Sequence, residues 1–164
     1  SDPEAVTTAV LAASESPEQG LRSSAAFSLG VVSGDGAAER LEVLCNDVND
    51  DVRYNAALGL ARLGRGVAWE TLTEMLTLPD VAAPPGDDEA QAARYKRAMV
   101  VVNALKGVSM LVDDTSQPPP ESVTTAVAAL HDDDIADVRQ GARALLKRIG
   151  RLDEAAEAAV PAAL

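Results

Sequence analysis

The chain has 164 residues, of which 47% are apolar and only 2% are aromatic, and its formal net charge is −12. This length suits one domain with a buried core rather than two. The acidic balance disfavours nucleic-acid binding, since a phosphate backbone would meet net repulsion over most of the surface. A core with few aromatic residues must be built from Ala, Val and Leu, which indicates closely packed helices and an all-α fold.

Cysteine content and apolar runs restrict the setting of the chain. The single cysteine, Cys45, excludes an intramolecular disulfide and a zinc site of several cysteines, which favours a cytoplasmic location. The longest apolar stretch, 98–112, contains Asn103 and Lys106 and is shorter than the roughly 20 residues that cross a bilayer. We therefore expect no contact with a membrane. Because the chain begins with Ser1 rather than Met, we expect it to be processed or to be a fragment of a larger protein.

The first predicted unit, residues 4–32, is repeated near the end of the chain. The sequence PEAVTTAV at 3–10 recurs as PESVTTAV at 120–127, and the same shift of 117 positions places Arg22 on Arg139. A match that is kept over a whole helix pair is the signature of a repeat protein.

Two further units lie between these segments. Residues 51–64 carry apolar side chains at 52, 56, 60 and 63, the spacing of one helical face, and Gly64 suits a left-handed helix end. A third unit is anchored by Arg94, whose Arg-Tyr dipeptide repeats that of Arg53. The units are predicted at 4–32, 37–64, 67–111 and 121–150. Their helix pairs are predicted at 4–14 with 18–32, 37–46 with 50–64, 67–78 with 89–111, and 121–131 with 135–150. Residues 153–164 are interpreted as a capping tail or a truncated next repeat.

A short polar residue precedes one arginine of each unit by six positions. Such side chains accept hydrogen bonds from free backbone N–H groups where a helix begins, so each is predicted to mark the turn into a second helix. The four pairs are Ser16 with Arg22, Asp47 with Arg53, Asp88 with Arg94, and Asp133 with Arg139.

The sequence Asp-Val-Arg-x-x-Ala-Ala-x-x-Leu-x-x-Leu-Gly at 51–64 and its counterpart at 137–150 resemble the HEAT repeat, in particular the HEAT-like form of bacterial repeat proteins and phycobilisome lyases. A more distant likeness to the repeats of proteasome and cyclosome scaffold subunits rests on 55–61. The resemblance implies an α-solenoid, an armadillo-like superhelix of about four helix pairs, in a single domain over 1–164. In the third unit, Arg97 departs from the motif because it stands where a small residue belongs.

The same resemblance implies that each recurring arginine pairs with the aspartate of its own or the next unit. An anion-binding groove is the functional alternative for these arginines. The expected structural ladder consists of Arg22, Asp47, Arg53, Asp88, Arg94, Asp133 and Arg139.

Three features invite a chemical interpretation. The run 131–134, one histidine and three aspartates, could bind a divalent cation, but it lies where a turn belongs and its aspartates suit helix capping. Residues 47–51 resemble the start of a calcium loop, yet Val52 stands where that loop needs Gly and Leu58 where it needs Glu. Cys45 is predicted to be a small buried hydrophobe. We predict no catalytic residue, no metal and no cofactor.

With 52, 56, 60 and 63 turned inward, the opposite face of that helix carries Tyr54 and Leu58. The equivalent residues are Phe27 in the first unit and Tyr95 and Met99 in the third. In HEAT-type proteins the second helices line the concave side, and aromatic residues and Met are enriched in interface cores. We therefore expect a peptide or helix of a protein partner to dock along these five residues. The alternative is that some of them, Leu58 and Met99 especially, pack neighbouring helices together.

Three classes of function are compatible with this fold. The first is a non-enzymatic interaction scaffold, or a module of a larger protein. The second is an accessory enzyme or maturation factor of the bilin-lyase-like HEAT class, which predicts a bound chromophore detectable by its absorbance. The third, a HEAT-like DNA-repair glycosylase, requires a basic groove lined by aromatic residues, and the net charge of −12 counts against it.

Overall fold

The computed structural model describes residues 2–114 and 118–151, and its secondary structure over these ranges is helical throughout. The predicted all-α fold is confirmed. The predicted tail at 153–164 lies outside the described residues. The α-helices, in chain order, are α1 Pro3–Ala13, α2 Gln19–Val32, α3 Ala37–Leu44, α4 Asp50–Arg62, α5 Trp69–Leu76, α6 Asp88–Asp114, α7 Glu121–Ala129 and α8 Ala136–Arg148, with a 3-10 turn at Gly66–Ala68 before α5.

The helices form four consecutive pairs in two layers. The first helices of the pairs are α1, α3, α5 and α7, and the second helices are α2, α4, α6 and α8. Each first helix packs against the second helix of its own pair, and each second helix packs against the second helix of the next pair. In the other layer, α1 contacts α3 and α5 contacts α7. This succession of contacts between neighbouring pairs is compatible with a solenoid.

Polar side chains and glycines define several helix ends. The Asn49 side chain accepts a hydrogen bond from the Val52 N–H and begins α4. The Asp87 carboxylate accepts one from the Ala90 N–H at 3.0 Å near the start of α6. Gly64 follows α4 with a φ of 66°, the left-handed conformation predicted for it, which costs glycine little because it has no Cβ.

The core runs continuously through the four pairs and is built almost entirely from aliphatic side chains. Burying each large side chain contributes roughly 1.5–3 kcal/mol relative to leaving it exposed. The largest fully buried side chains include Leu29, Leu41, Leu60, Leu72, Met75, Leu111 and Leu146. Because one helix pair is too thin to enclose such residues, each pair depends on its neighbours for burial.

The second helices approach most closely where α2 crosses α4. A Cβ atom built on Gly30 would lie 2.4 Å from the Cα atom of Gly59. A Cβ atom on Gly59 would lie 2.9 Å from Cδ1 of Leu41. The two glycines therefore let the backbones of α2 and α4 touch, and any side chain at position 30 has to push the helices apart.

The longest helix is α6, with 27 residues, whereas the other second helices have 13 or 14. A loop with three prolines, 77–87, separates it from α5. Because α6 contains charged residues along its length, it is no membrane-spanning segment. No helix in the described ranges combines the length and the apolar character needed to cross a membrane.

The crossing of α2 and α4 gives the first prediction. Replacement Gly30→Ala should lower the free energy of unfolding by about 2–3 kcal/mol, because the new methyl group meets backbone that cannot yield without moving a helix. Urea denaturation followed by circular dichroism measures the change.

The matched control is Gly20→Ala on the same helix, where nothing lies within 4 Å of the added Cβ atom. This replacement should be neutral or stabilise the protein by up to about 1 kcal/mol through helix propensity. Equal effects of the two replacements would contradict the close crossing.

Candidate functional site

The recurring arginines link each second helix to the turn that follows the first helix of the same pair. In three pairs, the arginine Nη1 donates a hydrogen bond to the carbonyl oxygen of the residue six positions earlier. These contacts join Arg22 to Ser16 (3.1 Å), Arg53 to Asp47 (3.0 Å) and Arg139 to Asp133 (2.5 Å). The predicted six-residue spacing therefore has a direct geometric cause.

The first of these arginines also binds the next pair, as predicted. Arg22 donates from Nε and Nη2 to the two carboxylate oxygens of Asp47, at 2.7 and 2.9 Å, and both side chains are largely buried. The Asp47 carboxylate also accepts the N–H of Asn49 at 2.9 Å. The hydrogen bond from Arg22 is the main reason why the pKa of Asp47 lies below its usual range. The Asp47 carboxylate thus accepts a hydrogen bond within its own turn and also binds the preceding helix pair.

In the third pair Arg97 forms the buried contact of the ladder, whereas Arg94, the predicted residue, forms only a long ion pair with an aspartate of the next pair. Nη1 of Arg97 lies 2.8 Å from Oδ2 of Asp133, and both side chains are buried. Nε of Arg97 donates to the carbonyl oxygen of Leu78, in the turn after α5. Arg94 reaches only the exposed Asp134, at 3.7 Å. The cause is the length of α6, which begins six residues before the position equivalent to the start of the other second helices.

For the same reason Asp88 holds a different position from the polar residues of the other turns. Asp88 is exposed and lies at the first position of α6, and the hydrogen bond to the helix start is accepted by Asp87. Residues 88–94 all lie within α6, so the polar residue stands at the first position of the helix here rather than three positions before it, as in the other pairs.

Arg53 binds a different carboxylate from the one expected. Its Nη2 donates to Asp50 Oδ1 at 2.7 Å and to Glu74 Oε1, on α5 of the next pair, at 2.6 Å. The hydroxyl of Tyr54 donates to the same Glu74 oxygen at 3.2 Å. Burial, together with the charge of Glu74, raises the pKa of Tyr54 to about 12.

Tyr54 is 7% exposed and belongs to the core, so the expectation that it lies on an open stripe is wrong. The reason is that α4 lies inside the stack and is covered by α2, α3, α5 and α6. Only a narrow strip of such a helix remains exposed. A helical wheel that considers one helix pair alone therefore predicts a wider exposed face for α4 than the face that is exposed in the complete stack.

The other predicted docking residues lie on or near the surface. Phe27 is 50% exposed, Tyr95 68% and Met99 49%. Leu58 is half-buried, and a Cβ atom on Gly107 of α6 would lie 3.2 Å from it, so Leu58 packs neighbouring helices together in part.

The ladder arginines, with Arg97 as the third, set a common register for the four second helices. Five positions after each arginine stands an apolar residue, and we name this set the apolar row: Phe27, Leu58, Val102 and Ala144. Nine positions after three of the arginines stands a basic residue, and we name this set the basic row: Arg62, Lys106 and Arg148. The sequence prediction made Met99 rather than Val102 equivalent to Phe27 and Leu58, and it did not identify the basic row, because it counted from Arg94.

A groove runs along the exposed side of α6 and α8. It consists of two adjoining cavities of about 310 and 230 Å³ that share Val102 and Lys106 as lining residues. Tyr95 and Met99 line the second cavity. The groove exists because α8 presents Gly141 and Ala144 where α2 presents Ser24 and Phe27. The structure therefore brings two predicted docking residues together at one edge of an open channel.

The carboxylates that suggested metal chemistry are engaged elsewhere. Asp132 pairs with Arg143 at 2.6 Å, and Asp133 and Asp134 face Arg97 and Arg94. Over the described ranges, no group of three or more His, Cys, Asp or Glu side chains is arranged to hold a metal ion.

The thiol of Cys45 is partly buried at the end of α3 and packs against the core. Burial raises its pKa, which disfavours the reactive thiolate.

Comparison with known proteins assigns no family to the chain. A scan against protein-family models and a search of the curated proteins found no match. The HEAT-like assignment therefore stays a prediction from the motifs at 51–64 and 137–150. A functional conclusion has to come from the geometry of the second helices.

The pair of Arg97 and Asp133 gives the second prediction. Replacement Asp133→Asn keeps an oxygen for the turn but leaves the buried guanidinium of Arg97 without a counter-charge. The free energy of unfolding should fall by about 2–3 kcal/mol, as measured by urea denaturation.

The adjacent replacement, Asp134→Asn, removes a carboxylate that is 80% exposed and 3.7 Å from Arg94. Its cost should stay below about 1 kcal/mol. A larger effect at position 134 than at 133 would show that Arg94 and not Arg97 is the structural arginine.

The pair of Arg22 and Asp47 gives the third prediction, which concerns pH. The pKa of Asp47 in the folded protein lies below the value of about 3.9 in an unfolded chain. Its contribution to stability is therefore complete above about pH 4 and disappears as the pH falls through the folded-state pKa. The difference in unfolding free energy between the wild type and Asp47→Asn should shrink between about pH 7 and about pH 3. A difference that stays constant with pH would contradict this account.

Proposed function

We propose that the chain is a non-enzymatic interaction module of the HEAT-like type, which binds a segment of a protein partner across the exposed side of its second helices. The observation that carries the proposal is that Phe27, Tyr95 and Met99 are exposed on second helices, and that Tyr95 and Met99 line an open groove between α6 and α8. Solenoids commonly bind partners on such extended surfaces because the repeats present equivalent positions side by side.

The composition of this surface supports the proposal. Aromatic residues and Met are enriched in the cores of interfaces and are otherwise scarce in this chain, which has two tyrosines, one phenylalanine and three methionines. Two of the three methionines, Met99 and Met110, and both exposed aromatic side chains, Phe27 and Tyr95, lie on second helices. Exposed large apolar side chains contribute little burial energy to the fold, so their position on the second helices favours a binding role.

The alternative of an anion-binding groove built from the recurring arginines finds little support. Arg22, Arg53 and Arg139 donate to carbonyl oxygens of their own turns, and Arg97 donates to that of Leu78. Three of them also face carboxylates of the next pair. Guanidinium groups with these partners have few N–H groups left for an external anion.

Selection from a random peptide library displayed on phage tests the proposal without knowledge of the partner. Peptides selected on the purified wild type should bind the variant Phe27→Ser/Met99→Ser at least about tenfold more weakly, because both apolar anchors are lost. Fluorescence anisotropy of the labelled peptides measures the affinities, and circular dichroism verifies that both proteins are folded.

The matched control is Val43→Ser/Val48→Ser, which removes two side chains that are 58% and 91% exposed on α3 and the following turn. Binding should be unchanged in this variant. Failure to enrich any peptide, or peptides that bind Phe27→Ser/Met99→Ser as well as the wild type, would contradict the proposed binding face.

A further inference from the structure

The charges of the chain are divided unequally between the two layers. Eleven of the 14 basic residues lie on second helices, against seven acidic residues, whereas the first helices carry one basic and six acidic residues. The second helices therefore sum to +4 and the first helices to −5, although the whole chain has a charge of −12. Because salt screens charges beyond about 8–10 Å, a partner on the second helices meets the exposed charges of this layer rather than the net charge of the chain. The ladder arginines do not count among these charges, since they are engaged with carbonyl and carboxylate oxygens.

The acidic residues of the second helices are confined to the helix ends. They lie in the first turns of α4, α6 and α8 and at the last two positions of α6. The exposed middle of the layer carries the apolar row and, on the side of the helix C-termini, the basic row. This arrangement places an apolar strip and a positive strip next to each other across α4, α6 and α8.

Two members of the basic row are available to a partner. Arg62 and Lys106 are exposed, and neither forms an ion pair with any residue in the described ranges. The guanidinium of Arg62 lies over the ring of Phe27, with 5.4 Å from Cζ to the ring centroid, so the two rows are in contact. Arg148 is partly neutralised because it faces Asp113 and donates to the hydroxyl of Ser109.

The spacing of the rows fits a helix better than an extended strand. Neighbouring packed helices lie about 8–10 Å apart, so equivalent side chains recur across the layer at about that distance. Two turns of a helix, seven residues, advance about 10.5 Å and return to the same face. In a bound helix that crosses the layer, residues seven positions apart can therefore lie over successive second helices.

We propose that the surface binds an acidic amphipathic helix of a protein partner, laid across α2, α4, α6 and α8. Its apolar face contacts the apolar row together with Met99, and carboxylates seven residues apart contact Arg62 and Lys106. This inference rests on the proposed function and adds the chemistry and the direction of the bound segment. It also explains why an acidic protein keeps two exposed cations on this face that pair with no acidic residue in the described part of the chain.

A pair of synthetic peptides tests the inference. Both are 21-residue helices with leucine at positions a and d of each heptad, and at position e one has glutamate where the other has glutamine. Wild-type protein should bind the glutamate peptide at least about tenfold more tightly at low salt, and this preference should decline as salt is added.

Charge reversal in the protein provides the second arm. Arg62→Glu/Lys106→Glu should abolish the preference for the glutamate peptide, whereas Arg65→Glu/Arg143→Glu, with the same net charge, should retain it. Both control residues are exposed and lie outside the two rows. Circular dichroism verifies folding, and sedimentation velocity without peptide determines whether the protein associates with itself.

Three outcomes overturn the inference. The first is equal binding of the two peptides, and the second is no binding of the glutamate peptide. The third is a wild-type dimer that the replacements Arg62→Glu/Lys106→Glu dissociate, because such a dimer would identify a second copy of the chain as the occupant. The phage selection imposes no charge on the peptides. Selected peptides that are neutral or basic but still require Phe27 and Met99 would leave the proposed function intact and remove only the acidic helix.

Discussion

Register between neighbouring helix pairs is the constraint on which the other features of this structure depend. A solenoid has no long-range contacts to correct an error, so each pair has to fix its position on the next. Arginine does this here: its guanidinium binds the turn of its own pair and, at Arg22, Arg53 and Arg97, a carboxylate of the next pair. Because these arginines stand at equivalent positions, side chains at fixed distances after them line up in rows across the layer.

Small residues at the contacts between second helices bring these rows close together. The contact of Gly30 with Gly59 brings α2 and α4 to backbone distance, and Gly107 and Gly141 accommodate leucines of neighbouring helices in the same layer. Tyr54 is buried because α4 is covered by α2, α3, α5 and α6. Phe27, Met99, Arg62 and Lys106 are exposed on this layer and supply apolar and basic groups of the proposed binding surface.

Much of the fold could be predicted from the sequence because apolar periodicity and turn residues report local structure directly. The helix pairs and the left-handed Gly64 follow from such patterns, whereas the contact of Arg22 with Asp47 is implied by the resemblance to HEAT repeats. The third unit could not be predicted in the same way. The helix predicted at 89–111 agrees with α6, but the spacing of Asp88 and Arg94 copies that of the other turns although both residues lie within α6, and it therefore indicates the wrong arginine. Counting from Arg94 instead of Arg97 shifted the third unit by three residues, so the basic row was not recognised. The burial of Tyr54 depends on neighbouring helices, which the apolar pattern of a single helix does not describe.

A double-mutant cycle tests the register of the third pair most directly. Arg97→Met and Asp133→Asn should show a coupling free energy of more than about 1 kcal/mol, since each change removes the same buried contact. Arg94→Met and Asp133→Asn should be additive within about 0.5 kcal/mol. Coupling of Asp133 to Arg94 and not to Arg97 would contradict the register, and with it the apolar and basic rows.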